Sequence, residues 1–369
     1  MPPALINIVE PTLMTEAGHC FSFVTALAKA AAKEQSFRLW VNRQADVDFS
    51  GTGVEVRRHF SRRLRRVQSY LLYRRLLRSP GKLFIATAGR GDLIMLDWAA
   101  TGEIPPGKAY LYVHWFNTSD SKLAALGKIA TAQPHLVILG PTPSVITPFL
   151  EAGFRHAQVV PYPISVSEQT HVPEPGGFRH LLYAGAARHD KGFSHVVDLV
   201  AYLQSSKLDI PITMQISAEH FGKYDAVTRA DIQRLEDIAY PHLKLLPETL
   251  DSSAYSDQFK GAVCIQLYDR HDFADRISGV TLDAFTAGCP IVTTAGTWMA
   301  RIAQRFGAGT EVHELSLPDV LSAIQVIIAD YPGFQARAGL AGKVLCEENN
   351  AANLYRVLIE RAVNEVCGL

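Results

Sequence analysis

The 369-residue sequence has no CxxC pair, and its five cysteines (Cys20, Cys264, Cys289, Cys346 and Cys367) are scattered and odd in number. This spacing argues against a structural zinc site or a disulfide framework and fits a reducing compartment. No run of about 18 apolar residues occurs, so no membrane-spanning helix is expected. The opening residues Met1-Pro2-Pro3-Ala4-Leu5-Ile6 lack the basic and long apolar segments of a secretory signal, so a cytoplasmic location is expected. Low-complexity segments and short-period repeats are missing as well. So is net charge, because 36 Lys and Arg balance 36 Asp and Glu.

That zero is a cancellation. Residues 1–165 hold 19 basic and 11 acidic side chains, net +8, which leaves 17 and 25, net −8, in the rest. The asymmetry points to a surface function for the first half. At 48% hydrophobic residues, the chain can bury two cores, and its length suits two domains of roughly 150 residues or more.

Short apolar runs alternate with helical patterns. Strands are expected at Leu5–Glu10, Arg38–Asn42, Val54–Arg57, Leu93–Asp97, Ala109–Phe116, Leu136–Gly140 and Val159–Tyr162. After a break they resume at Leu181–Gly185, Ile212–Ile216, Leu243–Leu246, Val263–Leu267, Ile291–Thr294 and Glu311–His313. Strands alternating with helices predict an α/β protein with parallel sheets built from βαβ units. The break, around Pro163–Gly177, combines Pro161, Pro163, Pro173 and Pro175 with Gly176-Gly177 and reads as a linker between domains 1–165 and 166–351. Residues 353–366 read as an amphipathic helix. Two αβα domains facing each other across a cleft is the simplest architecture.

Two stretches carry the chemistry. Asp275-Arg276-Ile277-Ser278-Gly279-Val280-Thr281-Leu282-Asp283-Ala284 follows a strand and leads into a helix capped by Ser278. The free N–H groups of Gly279, Val280 and Thr281, at the positive end of the helix dipole, suit an anion such as a diphosphate. A diphosphate across that tip meets Asp275 at one end and Asp283 at the other, and carboxylates accept hydrogen bonds from sugar hydroxyls. The plainer alternative is a capped helix with two solvated acids. In the second stretch, Leu182 to Phe193, an apolar strand ends at Gly185, and a polar loop carries Arg188 and Lys191. Ligands bind at such C-terminal strand edges, and fixed cations there neutralise a departing diphosphate.

Together these stretches resemble the C-terminal half of the retaining GT-B glycosyltransferases of the family-4 type (glycosyl transferases group 1). Gly185 followed by Lys191-Gly192 fits a family pattern. Asp275 and Asp283, with Ala284 and Gly288-Cys289-Pro290 in register, stand where the family has two glutamates. The first half matches more loosely, through Gly18-His19 after the first strand, Val113-His114 at the end of another, and Val159-Val160-Pro161. The resemblance implies two Rossmann-like domains, with residues 352–369 crossing back onto the first. It implies a nucleotide-sugar donor on the second domain, with Asp275 beside the donor sugar and Asp283 on the ribose. His114 would lie near the sugar and Gly18 near the donor phosphates. It also implies front-face transfer with retention and no metal or other cofactor. Asp46-Val47-Asp48 spells a metal signature of another glycosyltransferase fold but reads as a solvated loop. The family arginine after the strand glycine is Ala186 here, with Arg188 two positions later. These departures keep open a catalytically degenerate GT-B module acting as a binding or regulatory partner, and a GT-B epimerase is a third option.

Residues 57–78 contain nine arginines and no acid. Phe60, Leu64, Val67 and Leu71 fall on one helical face. A basic amphipathic helix of this kind suits an anionic membrane surface, which would bring the enzyme to a lipid-linked acceptor as a peripheral protein of the inner face. Bacterial surface polysaccharide synthesis is the expected setting. Nucleic acid is not expected as a partner, since no zinc or RNA-binding aromatic motif accompanies the arginines and the second half is acidic.

Overall fold

The structure is a computed structural model that describes residues 4–16, 19–33, 35–163, 176–216 and 224–360. The chain forms two compact units, residues 1–167 with 348–369, and residues 168–347. Residues 164–175, which hold most of the expected linker, lie outside the described residues, as do Gly18 and the tail beyond 360.

In the first unit the described strands are β1 (Ile6–Val9), β2 (Phe37–Asn42), β3 (Val54–Phe60), β4 (Lys82–Ile85), β5 (Ala109–Tyr112), β6 (Val137–Gly140) and β7 (His156–Val159). They form one parallel sheet in the order β3-β2-β1-β4-β5-β6-β7. Alternate residues feed two clusters, as the period of two requires. Val9, Leu83, Ile85 and Leu111 pack toward α2 (Arg65–Arg78), α3 (Arg90–Ala99), α4 (Asp120–Ala132) and α5 (Pro143–Glu151). Ile8, Phe84, Tyr110 and Tyr112 pack toward α1 (His19–Ala30) and the last described helix, Ala351–Ile359, whose Leu354 and Leu358 are fully buried.

The second unit repeats the plan with β8 (His180–Tyr183), β9 (Ile212–Gln215), β10 (Leu243–Leu246), β11 (Ala262–Gln266), β12 (Ile291–Thr294) and β13 (Gly309–Val312), in the order β10-β9-β8-β11-β12-β13. Its helices are α6 (Phe193–Ser205), α7 (Ala226–Asp237), α8 (Ser252–Asp257), α9 (Gly279–Thr286), α10 (Trp298–Phe306), α11 (Leu317–Ala329) and α12 (Tyr331–Glu348); Ala351–Ile359 is α13. Val196, Val200, Leu235 and Ile324 close the core over β8, β9 and β11. Each sheet therefore has one point where the chain reverses its direction of travel, between β1 and β4 and between β8 and β11. In open parallel sheets such reversal points, at the carboxyl ends of the strands, are where loops diverge and ligands commonly bind.

Three expectations need correction. Leu93–Asp97 is not a strand but the middle of α3, which buries Leu93, Leu96 and Ala99 at helical spacing. Asp92 accepts the Gly89 N–H at 3.0 Å and starts that helix. The true strand is β4, unread in the short run Leu83-Phe84-Ile85. The edge strand β7 spans His156–Val159 rather than Val159–Tyr162. The arginine-rich helix begins only at Arg65, because Val54–Phe60 is strand and Phe60 belongs to the sheet core. Its core face is Ser69, Leu72, Tyr73 and Leu76. Leu64, Val67 and Leu71 are 57%, 59% and 57% exposed. Among the described residues no helix is long and apolar enough to cross a membrane.

Candidate functional site

The reversal point of the second sheet gathers the side chains singled out there. After β8 the chain turns through Gly185, whose φ of +94° favours glycine. Its N–H donates to Gln215 Oε1 at 2.9 Å. A Cβ on Gly185 would lie 3.4 Å from Lys191 Nζ and 3.5 Å from Val280, so this loop, the lysine and the start of α9 touch one another. A short 3-10 turn, His189–Lys191, then runs into Gly192, at φ +67°. A side chain at Gly192 would drive its Cβ to 1.9 Å from Leu267 O, so the Lys-Gly pair is fixed by backbone against backbone.

The helix start is built as the sequence implies, with one change. Ser278 Oγ accepts the Thr281 N–H at 3.4 Å, and Thr281 Oγ1 donates to Gln266 Oε1 at 2.7 Å, tying α9 to β11. Thr281 is thereby spent on structure, and the first-turn N–H groups of Gly279 and Val280 remain for an anion. A Cβ on Gly279 would meet nothing within 4 Å, so the space above it is open.

The charges around this tip are coupled. Lys191 lies 5.8 Å over the Tyr268 ring. Burial, with Arg188 and Arg276 nearby, pushes its ammonium down to about 8. Arg188 forks onto Asp190, with Nε donating to Oδ1 at 2.8 Å, and Arg276 approaches the same carboxylate at 3.6 Å. Arg188 is therefore not a lone cation, as the sequence suggests, but half of an ion pair. Asp283 accepts a hydrogen bond from Tyr255 at 3.1 Å. Its carboxylate keeps contact with solvent, yet the protein around it desolvates it enough to push it up to about 6, against the lowering effects of Tyr255 and Lys191. Asp275 pairs instead with Arg301 of α10 at 2.6 Å, a link that also holds the Ala274 carbonyl. Asp190, Tyr255 and Arg301 gave no sequence signal, since each acts through a partner distant in the chain or through a loop turn.

In the first unit, His114 follows β5, and its Nε2 lies 2.9 Å from the Ala86 carbonyl. A carbonyl can only accept, so Nε2 carries a proton and donates it to that contact. Phe23, Tyr112 and Tyr162 enclose the ring at 5.2–5.5 Å. Beside it, Glu10 at the end of β1 is fully buried and accepts from Thr12 and Thr87. It is a polar group at the reversal point that periodicity could not separate from the strand it ends. Asp48 accepts from Ser50 in a tight turn, as a solvated loop does. Among the described residues, no group of three or more His, Cys, Asp or Glu could hold a metal ion.

No protein-family model and no curated sequence matches the chain. Solved structures do. Anabaena HepE in complex with UDP-glucose aligns with a TM-score of 0.68 at 12% identity, over 96% of this chain and 98% of its own. WaaG, a glycosyltransferase involved in lipopolysaccharide biosynthesis, aligns at 0.62 and 13%, over 96% and 99%. A glycosyltransferase from Rickettsia africae aligns at 0.68 and 10%, over 98% and 100%. The fold is GT-B. At these identities the likeness carries architecture, with two parallel sheets of seven and six described strands flanked by helices.

Proposed function

We propose that the protein is a retaining glycosyltransferase that moves a sugar from a nucleotide-diphosphate donor to a glycan or lipid-linked acceptor. The observation that carries this reading is the convergence of Gly185, Lys191 and the capped, open start of α9 at one reversal point. A diphosphate lying there meets the Gly279 and Val280 N–H groups and one half-buried cation. The structural likeness to HepE, whose structure holds UDP-glucose, points to the same donor class.

Asp283, with one oxygen on Tyr255, offers the other to the ribose hydroxyls. Asp275 takes the donor sugar. As the sugar–oxygen bond breaks, Lys191 and the helix start stabilise the charge on the departing diphosphate, and Arg188 adds to them only by turning from Asp190 to the diphosphate. The departing oxygen takes the proton of the attacking acceptor hydroxyl on the same face, so positioning supplies most of the catalysis. No metal is needed in this scheme. The exposed stripe of Leu64, Val67 and Leu71 among arginines suits peripheral docking on an anionic membrane, consistent with a lipid-linked acceptor and surface polysaccharide synthesis.

A second reading, a degenerate binding module, draws on the ion pairs that occupy Arg188 and Asp275. Donor turnover separates the two. Purified protein mixed with nucleotide sugars should release free nucleoside diphosphate, and Lys191→Ala or Asp275→Ala should cut that rate by roughly 100-fold or more. No release from any of UDP-, GDP-, ADP- or dTDP-sugars, with acceptor lipid extract supplied, would leave the module reading.

A further inference from the structure

The first unit carries two adjoining cavities that the proposed transfer does not use. One, of about 420 Å³, is lined by Leu71, Arg74, Arg75, Arg78 and Ser79. The other, of about 350 Å³, is lined by Asn7, Arg38, Arg75 and the Ser79–Gly81 turn, among others. Arg75 and Ser79 border both. Leu5, Arg38 and Gly81 stand at or just before the starts of β1, β2 and β4. The cavities therefore open at the N-terminal edge of the sheet, away from the strand ends that carry Glu10 and His114.

The cations here are pre-arranged. The Arg75 guanidinium lies 5.5 Å over the Trp40 ring, and Arg74 Nη1 donates to Tyr70 at 3.0 Å. Among the described residues no carboxylate pairs with Arg74, Arg75 or Arg78, while Arg38 is held by Glu55 at 2.7 Å. Basic residues at a helix C-terminus commonly balance its dipole. That accounts for Arg75 and Arg78 in the last turn but not for Arg74, nor for Arg65 and Arg66 at the positive end, which has no side-chain cap. The carbonyls of Ser79 and Gly81, which would repel an anion, are both engaged by Lys108 Nζ.

We propose that these cavities form a binding site for a phosphate-bearing anion, gripped by Arg75 and Arg78 with Arg38 and Arg74 flanking. Guanidinium groups match phosphate oxygens two at a time, and Arg74, Arg75 and Arg78, which no carboxylate pairs among the described residues, gain most from such a ligand, while Arg38 stays tied to Glu55. The volumes exceed a lone phosphate and suit a diphosphate or a phosphate ester, with Leu71 offering an apolar contact to whatever the phosphate carries. The inference does not rest on the transfer reading. It shares Leu71 with the exposed apolar stripe but differs from membrane docking in its cations, since Arg62, Arg63, Arg65 and Arg66 line neither cavity.

Hydrogen exchange on the full chain at low salt tests it with two probes, inorganic pyrophosphate and phosphatidylcholine vesicles containing phosphatidate. Pyrophosphate should slow exchange over residues 71–83. The Arg75→Ala/Arg78→Ala variant should weaken that protection roughly tenfold in apparent affinity, while Arg62→Ala/Arg63→Ala keeps it. Protection by vesicles alone, lost in the same double variant, assigns the site to a lipid headgroup. The single variant Arg78→Ala, a solvent-facing change to a strong helix former, guards against misfolding of the double one. Absence of protection with both probes, or protection unchanged by the Arg75→Ala/Arg78→Ala pair, overturns the site. Vesicle protection insensitive to that pair but sensitive to Arg62 and Arg63 overturns it and leaves membrane docking standing.

Discussion

Lys191 and Asp283 have opposite charges and opposite displacements, and each must be ionised to serve the proposed donor. Desolvation by the surrounding protein raises the carboxyl to about 6 and lowers the ammonium to about 8, so both are charged only between those limits. Transfer measured as kcat/KM against pH should therefore be bell-shaped, with limbs near 6 and 8. Asp283→Asn should remove the acid limb, and a profile flat from 5 to 9 would dissociate both groups from the chemistry. Gly192 poses a harder constraint, since any side chain there collides with the Leu267 carbonyl. Gly192→Ala should cost about 3 kcal/mol or more in urea unfolding, and a loss below about 1 kcal/mol would show that the loop yields. At this scale the sequence displayed Gly185, Lys191, Ser278 and both aspartates, because their spacing is local. It could not display that Asp190 and Arg301 claim Arg188 and Asp275, because the first pair depends on how the loop after β8 turns and the second on α10 folding back to the loop before α9.

Element by element, α2 is the instructive case. Its nine-arginine neighbourhood was plain to read, but which side faced the core was not. Leu72, Tyr73 and Leu76 bury themselves against the sheet, while Leu64, Val67 and Leu71, also apolar and also helically spaced, face water. Two apolar stripes on one helix give no period that separates inside from outside. The same ambiguity hid β4 and turned part of α3 into an expected strand, since four apolar residues in a row satisfy either period. The exposed stripe makes a prediction in turn. Replacing Leu64, Val67 and Leu71 by Ser should leave the melting temperature nearly unchanged and weaken sedimentation with anionic liposomes about tenfold; replacing Arg62, Arg63, Arg65 and Arg66 should do likewise. Unaltered liposome binding in both sets would remove the membrane reading.

For the whole molecule, alternation of strands and helices was enough to indicate parallel α/β architecture, because short apolar strands buried on both faces leave little else. The charge division survives the true boundaries. The first unit, with its C-terminal segment, holds 21 basic and 14 acidic residues, net +7, and the second holds 15 and 22, net −7. The proposed donor region lies in the acidic unit, so local amides and a desolvated lysine, not bulk charge, would have to hold a diphosphate. The return of the chain to its first unit also has a measurable weight. Deleting residues 348–369 strips Leu354, Tyr355 and Leu358 from the α1 side of the sheet. Calorimetry should then show the first unit melting about 10 °C lower or more, and an unshifted transition would make α13 dispensable.

That return sets an order of events during synthesis. The second unit is continuous, so it can close its core without any segment made after it. The first unit, begun earlier, must wait with the α1 side of its sheet uncovered until the segment from residue 348 onward is made. The half that is made first is thus the half that finishes last. Its apolar surface between α1 and the missing helix is where a nascent-chain chaperone would be expected to linger.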